Sequence, residues 1–196
     1  MTLTELQNEV YAITNRPDLV DRTLSAIRAA TLKLHQADYF YKDLLETGVV
    51  FSTAAYLQQL EYRTIIPLWR SLKYIRKSDV DASDSGAFLE VITPELVLDD
   101  YKQNRNDVCY TAGATINIRS STELQYIFLG YYVNPDVTVS GYSSWMAIDH
   151  PWAIIYTAAA QIFKSTGKQE EWAAATQDAR DWYAQVVQSN ILAVGY

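Results

Sequence analysis

Apolar residues recur at helical spacing over residues 3–34 and again over 152–187. Between these stretches, short apolar and aromatic runs alternate with polar residues at strand spacing. The strongest pattern is DHPWAIIYTAAAQIFKSTG, residues 149–167. Asp149 is placed to cap a helix there, Pro151 suits its first turn and Gly167 ends it. Thr157, Gln161, Lys164 and Lys168 form one narrow polar stripe, and Trp152, Ile154, Ile155, Tyr156, Ile162 and Phe163 cover the other faces with alanines. A helix apolar around most of its circumference is buried on several sides. Burying those six large side chains is worth roughly 9–18 kcal/mol gross. This is the expected central helix.

Thr2-x-x-Glu5 is a capping box that opens a first helix, with Leu3, Leu6, Val10 and Ile13 on one face. Asn15-Arg16-Pro17-Asp18 breaks it, and Leu19, Val20, Leu24, Ile27, Ala30 and Leu34 mark a second helix to about Ala37. From Tyr39 the chain turns aromatic and β-branched. Residues 54–60 fit a short helix or a strand, and Pro67 makes 65–70 an edge or a turn. Leu72, Tyr74 and Ile75 sit among Lys and Arg, as in an exposed strand. Residues 79–86 read as an acidic loop, 88–92 as a strand, and 94–101 as a short helix capped by Thr93. Residues 108–111 and 114–119 predict a hairpin around Ala112-Gly113, and 125–133 a third strand, apolar on both faces and central. A last helix spans 168–189, with Trp172, Ala175, Ala179, Trp182, Val186 and Val187 inward.

The fold expected from this order is α+β. An α-helical bundle (an N-terminal helical pair plus two C-terminal helices) carries a small antiparallel β insertion in its middle. The chain reads as a single domain, 1–196, with the bundle in 1–48 and 137–190 and the β-rich insertion in 49–136.

Composition narrows the function. The 196 residues are 49% hydrophobic and 20% charged, which suits a globular protein and not a disordered one. A net charge of −7 argues against a basic nucleic-acid face, although an acidic wall suits a path that DNA slides along without sticking. No stretch has the pattern of a signal peptide or the length of a membrane span, so no membrane association is expected. Cys109 is the only cysteine, so no internal disulfide is expected, and synthesis in a reducing cytoplasm fits. Fifteen tyrosines and five tryptophans are the one excess, and both residue types are enriched at protein interfaces as well as filling cores.

Candidate chemistry is sparse. The two histidines, His35 near a helix end and His150 beside a cap, are not a pair at ligand spacing, so no zinc or iron site is expected. No nucleophile motif accompanies them. Cys109 alternates with Val108 and Tyr110 and reads as a buried thiol. Asp79, Asp81 and Asp84 lack the glycine and the terminal glutamate of a calcium loop and read as solvated. Asp99-Asp100 and Glu170-Glu171 are adjacent in sequence, so their carboxylates diverge and make no acid/base dyad. No enzymatic activity and no cofactor are expected.

The end of the sequence is more informative. Residues 191–196 are Ile191, Leu192, Ala193, Val194, Gly195 and Tyr196. Ordering six residues costs roughly 6–12 kcal/mol of backbone entropy. Burying the four larger side chains returns about as much. Such a tail either packs back on its own domain or docks as a strand on a partner.

Several blocks together resemble the head–tail adaptor (connector) proteins of tailed bacteriophages. They are Tyr62, Ile66-Pro67-Leu68-Trp69-Arg70-Ser71-Leu72-Lys73-Tyr74-Ile75-Arg76-Lys77, Asp107-Val108-Cys109-Tyr110, Ile118-Arg119-Ser120-Ser121-Thr122, Gly141-Tyr142-Ser143-Ser144-Trp145, His150-Pro151 and the terminal Asn190-Ile191-Leu192-Ala193-Val194-Gly195-Tyr196. The resemblance implies a structural protein of the virion at the head–tail interface, forming a dodecameric ring beneath the portal protein and extending the DNA channel. Its implied partners are the portal, further copies of itself, and tail or nozzle proteins, with fibres as contacts of the β insertion. Residues 191–196 are the implied portal-docking tail. It implies no catalytic site. The alternatives from other classes are a tail-completion or tail-terminator protein, and a small-molecule-binding protein or enzyme.

Overall fold

In a computed structural model, described over residues 1–78, 85–98 and 103–194, the chain divides into two compact units. One joins Met1–Asp43 to Asn134–Tyr196, and the other is Leu44–Val133. The expected helical bundle with a small antiparallel insertion is not the fold found. The described chain has six α-helices, but strand makes up about a third of the protein, in a closed barrel with its own core.

The helical unit contains α1 (Leu3–Thr14), α2 (Val20–Gln36), α4 (Trp145–Asp149), α5 (Pro151–Ser165) and α6 (Gln169–Val194). The capping box forms as expected. Thr2 Oγ1 accepts the Glu5 N–H at 3.2 Å and the Glu5 carboxylate accepts the Thr2 N–H at 2.7 Å. Helix α1 stops at Asn15, whose left-handed φ of 51° closes the last turn. Helix α5 packs on α1, α2, α4 and α6, and Ile154, Ile155, Ala158 and Ile162 meet Leu6, Val10, Ile27, Ala30 and Val186 in one core. Buried Ala153, Ala158, Ala159 and Ala160 present small side chains that let neighbouring helices approach closely.

The start of α5 differs from the expected cap. Asp149 ends α4, its carboxylate 2.6 Å from Lys42 Nζ, and His150 stands at the junction with φ −138° and ψ 53°. Pro151 is the cause, because its ring disfavours helical geometry at the preceding residue. The C-terminal stop is as expected. Gly167 takes φ 76°, its N–H reaches Lys164 O at 3.4 Å, and the Lys168 N–H reaches Phe163 O at 3.0 Å, a Schellman closure.

The β unit contains β1 (Leu44–Glu61), α3 (Tyr62–Ile65), β2 (Trp69–Ser78), β3 (Ser85–Val91), β4 (Val108–Ala112) and β5 (Thr115–Val133). The sheet order is β1-β5-β2-β3-β4 with β4 returning to β5, so four strands close a barrel and β1 is added outside on β5. The β3–β4 pair is parallel (Glu90↔Val108) and the remaining pairs are antiparallel. The hairpin at Ala112-Gly113 is present, with Gly113 at φ 63°. The expected second and third strands are one 19-residue strand, β5, which changes partner along its length from β4 to β2 and is paired on both edges. Residues 54–60 belong to the 18-residue β1, whose register shifts between Val50 and Leu57. Thr53 and Gln59 are exposed on that strand and Gln58 is half-buried, donating to Leu124 O at 2.7 Å; these polar residues hide the strand's length.

Strand β2 is not an exposed strand. It lies between β5 and β3, with Ile75 fully buried. Two of the cations that suggested exposure are paired across the sheet, Arg76 with Glu46 and Lys77 with Asp107, while Lys73 is exposed. Ile75, Leu89, Cys109, Ile116, Ile118, Ile127 and Leu129 fill the interior, beside the stacked rings of Tyr62, Trp69 and Tyr131. Two glycines make room for tyrosines. A Cβ on Gly130 would lie 2.4 Å from the Tyr74 ring, and one on Gly48 would collide with the Tyr126 hydroxyl.

The acidic loop of Asp79, Asp81 and Asp84 lies outside the described residues, as do Asp99-Asp100, the last part of the 94–101 helix, Gly195 and Tyr196. The described start of 94–101 is a 3₁₀ turn, Pro94–Val97.

Candidate functional site

Of residues 191–196, implied to dock on a portal, the described ones continue a helix. Residues 191–194 form the last turn of α6, five residues past the expected helix end, a helix and not the strand of the partner-docking alternative. Helical register places Ile191 and Leu192 beside Ala184, Val187 and Tyr183, along one side of α6. Ile191 is 46% and Leu192 69% exposed, and Ala193 is exposed. The turn before them is pinned. Asn190 Oδ1 accepts the Tyr41 N–H at 3.2 Å, and Ser189 Oγ lies 3.1 Å from His150 Nε2. The helix is therefore fixed at its base and presents its last turn outward. Along the same helix, toward its N-terminus, Tyr183, Ala179, Thr176 and Trp172 border a groove of about 430 Å³ against α2 and α5.

A second polar arrangement lies inside the helical unit, and sequence reading missed it. His35 is buried, with Nδ1 2.8 Å from Asp43 Oδ1 and Nε2 2.8 Å from Ser144 Oγ. Trp145 Nε1–H also donates to Asp43 Oδ1, at 2.7 Å. Ser144 Oγ caps α4 by accepting the Ala147 N–H at 3.2 Å. The Asp43 carboxylate only accepts, so Nδ1–H is directed to it, and in the neutral ring Nε2 then accepts the Ser144 hydroxyl hydrogen; this assigns the tautomer from the network. The chain of contacts joins α2 and the nearby 3₁₀ turn Tyr41–Asp43 to the start of α4, more than 100 residues further along the sequence. Asp–His–Ser is also the order that activates serine nucleophiles. Here all three side chains are buried and the hydroxyl is engaged by a helix cap. The only signal available beforehand was Ser144 followed by the apolar Trp145-Met146-Ala147, a cap motif.

In the β unit the polar contacts organise the sheet. Glu46 binds Arg76 at 2.6 Å and the Tyr74 hydroxyl at 2.6 Å, and those two hydrogen bonds, Arg76 first, hold its carboxyl below the usual range. The Arg76 guanidinium lies 4.9 Å from the Phe128 ring centre. Asp107 has a left-handed φ of 59° and faces Lys77, the Ser121 N–H and the Ser121 hydroxyl. Burial raises its pKa, but the ammonium and the Ser121 donors outweigh it and bring the value down to about 2. Burial pushes the Cys109 thiol up to about 12, so it is a protonated core side chain in β4. Among the described residues no three of His, Cys, Asp or Glu are grouped to hold a metal ion, and no helix is long and apolar enough to cross a membrane.

At its outer end α6 thus presents the exposed apolar side chains Ile191 and Leu192. Neither the protein-family models nor the curated proteins contain a match to this chain.

Proposed function

We propose that the protein is a ring-forming head–tail adaptor that docks on a portal protein through the last turn of α6. The observation that carries this reading is the exposed apolar turn Ile191-Leu192 at the end of a helix pinned through Ser189 and Asn190. A rigid helix end loses little further entropy on docking, which lowers the cost that a free tail would carry. The sequence blocks resembling phage adaptors supply the partner's identity. The net charge of −7 suits a DNA channel wall, and a dodecamer would match the portal's symmetry. Tail or nozzle proteins would take the opposite side of the ring.

The test is a binding assay with purified portal, read by negative-stain imaging and co-sedimentation. Leu192→Asp places a charge on an exposed position and leaves the core untouched, so the expected result is a folded protein with portal binding lost. Full binding by Leu192→Asp and by a chain stopped after Asn190 would overturn the docking role. Binding to tail tube in place of portal would overturn the adaptor role in favour of a tail-completion protein.

One observation favours a second reading, a serine hydrolase: the Asp43–His35–Ser144 order. Covalent labelling of Ser144 by a fluorophosphonate in the folded protein would support it, and absence of labelling would remove it.

A further inference from the structure

Three cations border one groove of the helical unit. Lys33 of α2, Lys164 of α5 and Arg180 of α6 rim the groove of about 430 Å³, over a floor that includes Leu34, Ala160 and Ala179. Among the described residues none of the three joins an ion pair, and Lys164 lies 6.0 Å from the Trp172 ring centre. No carboxylate lines the groove; Asp38 acts from beside it on the Tyr183 hydroxyl. In a chain of net charge −7 such a cluster runs against the average. Its complement is a pair of apolar side chains flanked by carboxylates.

The β unit presents such a segment. In the turn Pro94–Val97 and the residue after it, Leu96 is 52% and Leu98 50% exposed, and Glu95 is exposed between Pro94 and Leu96. Asp99 and Asp100 follow in sequence. The turn is held from behind. Leu96 N–H donates to Thr93 O at 3.0 Å and Arg105 N–H to Val97 O at 2.9 Å. A segment presented in a fixed shape has less freedom to lose on binding. The Thr93 hydroxyl and the Glu95 backbone N–H hold the Glu95 carboxyl below its usual range, keeping it charged.

We propose that this groove receives the 95–98 turn of a second copy of the chain, with Leu96 and Leu98 on the apolar floor and Glu95 among Lys33, Lys164 and Arg180. The inference rests on the ring reading and names the contact that would build the ring. Groove and turn belong to different units of the same chain, so each copy can offer its groove to one neighbour and its turn to another. Such head-to-tail contacts close into rings when the rotation between copies permits.

Crosslinking between differently labelled full-length chains tests this directly. Cys109 is buried, so introduced cysteines are the ones a bis-maleimide reaches. Leu96→Cys protein is mixed with Thr176→Cys protein, both free in solution and on purified portal, and covalent dimers are counted. The expected result is a mixed dimer of the 22.3 kDa chain. Glu95→Lys should cut its yield roughly tenfold, and adding Arg180→Glu to the partner chain should restore most of it. No mixed dimer on portal-bound protein, a yield indifferent to Glu95→Lys, or crosslinking of Leu96→Cys to portal instead would each overturn the proposal. Mixed dimers without portal binding would leave this interface standing and remove the adaptor reading. Portal binding without mixed dimers would do the reverse.

Discussion

Replacing His35 by alanine tests whether the buried Asp43–His35–Ser144 chain holds the helical unit together. The substitution removes a hydrogen bond of 2.8 Å to a buried carboxylate and another of 2.8 Å to Ser144. A hydrogen bond to a charged group is worth about 1.5–3 kcal/mol and a neutral one about 0.5–1.5 kcal/mol. The lost ring also leaves a void beside Trp145, whose ring centre lies 5.5 Å away. The total is about 3–5 kcal/mol, a large share of the 5–15 kcal/mol that stabilises a typical protein. At about 2–4 °C per kcal/mol for a chain of this size, Tm should fall by about 6–20 °C. The assay is thermal and urea unfolding followed by tryptophan fluorescence. Four of the five tryptophans, Trp145, Trp152, Trp172 and Trp182, lie in the helical unit and Trp69 in the β unit, so the signal is weighted toward the helical unit and a Trp69→Phe background isolates it. Asp43→Ala and the double variant complete a cycle. Because each single change leaves the other group buried short of a contact, the double variant should cost about 1–3 kcal/mol less than the sum. A cost below about 1 kcal/mol for His35→Ala, or strict additivity, would show that the chain of contacts contributes little and that packing alone sets the unit's stability.

Three further outcomes follow from the β unit. Asp107 has its pKa lowered from 3.8 to about 2 on folding, so it contributes stability above the unfolded value that is lost as pH falls toward the folded one. Asp107→Asn should therefore flatten acid destabilisation between about pH 4 and pH 2, by an amount reduced by solvent screening at a side chain 42% exposed; acid titration of unfolding by circular dichroism decides it, and an unchanged acid limb would refute the assignment. Cys109, with its thiol pushed up to about 12 and no exposure, should resist iodoacetamide in the native protein and react on unfolding, as mass spectrometry would record. Gly130→Ala should destabilise by about 1–3 kcal/mol, because its methyl group would strike the Tyr74 ring, while Gly130→Ala with Tyr74→Leu should recover part of the loss; urea midpoints of the two variants make the comparison.

The relation between sequence and fold differs between the two units. Helix α1, its capping box, the Asn15 break and the Gly167 stop were all legible, because capping and left-handed closure are decided by residues a few positions apart. Strand β5 was not legible as one element. Its Ser120-Ser121-Thr122-Glu123 stretch looks like a turn, yet the strand runs through it and changes partner there, a feature created by barrel closure. The charges of β2 misled for the same reason: Arg76 and Lys77 are solvated-looking in sequence and are neutralised by Glu46 and Asp107, 30 positions away in both cases.

The candidate surface divides the same way. Apolar Ile191 and Leu192 were legible as a contact candidate from their composition alone, and so was the helix before them, but its continuation past residue 189 was not. The buried Asp43–His35–Ser144 chain was illegible, since its outer members lie 8 and 109 positions from His35. Local chemistry thus determined where α1 begins and ends and where α5 stops. Only the tertiary structure decided how long the strands run, which charges meet, and which apolar side chains remain uncovered. Those outcomes depend on contacts between distant segments, and a linear pattern of polarity does not encode the partner each segment will find.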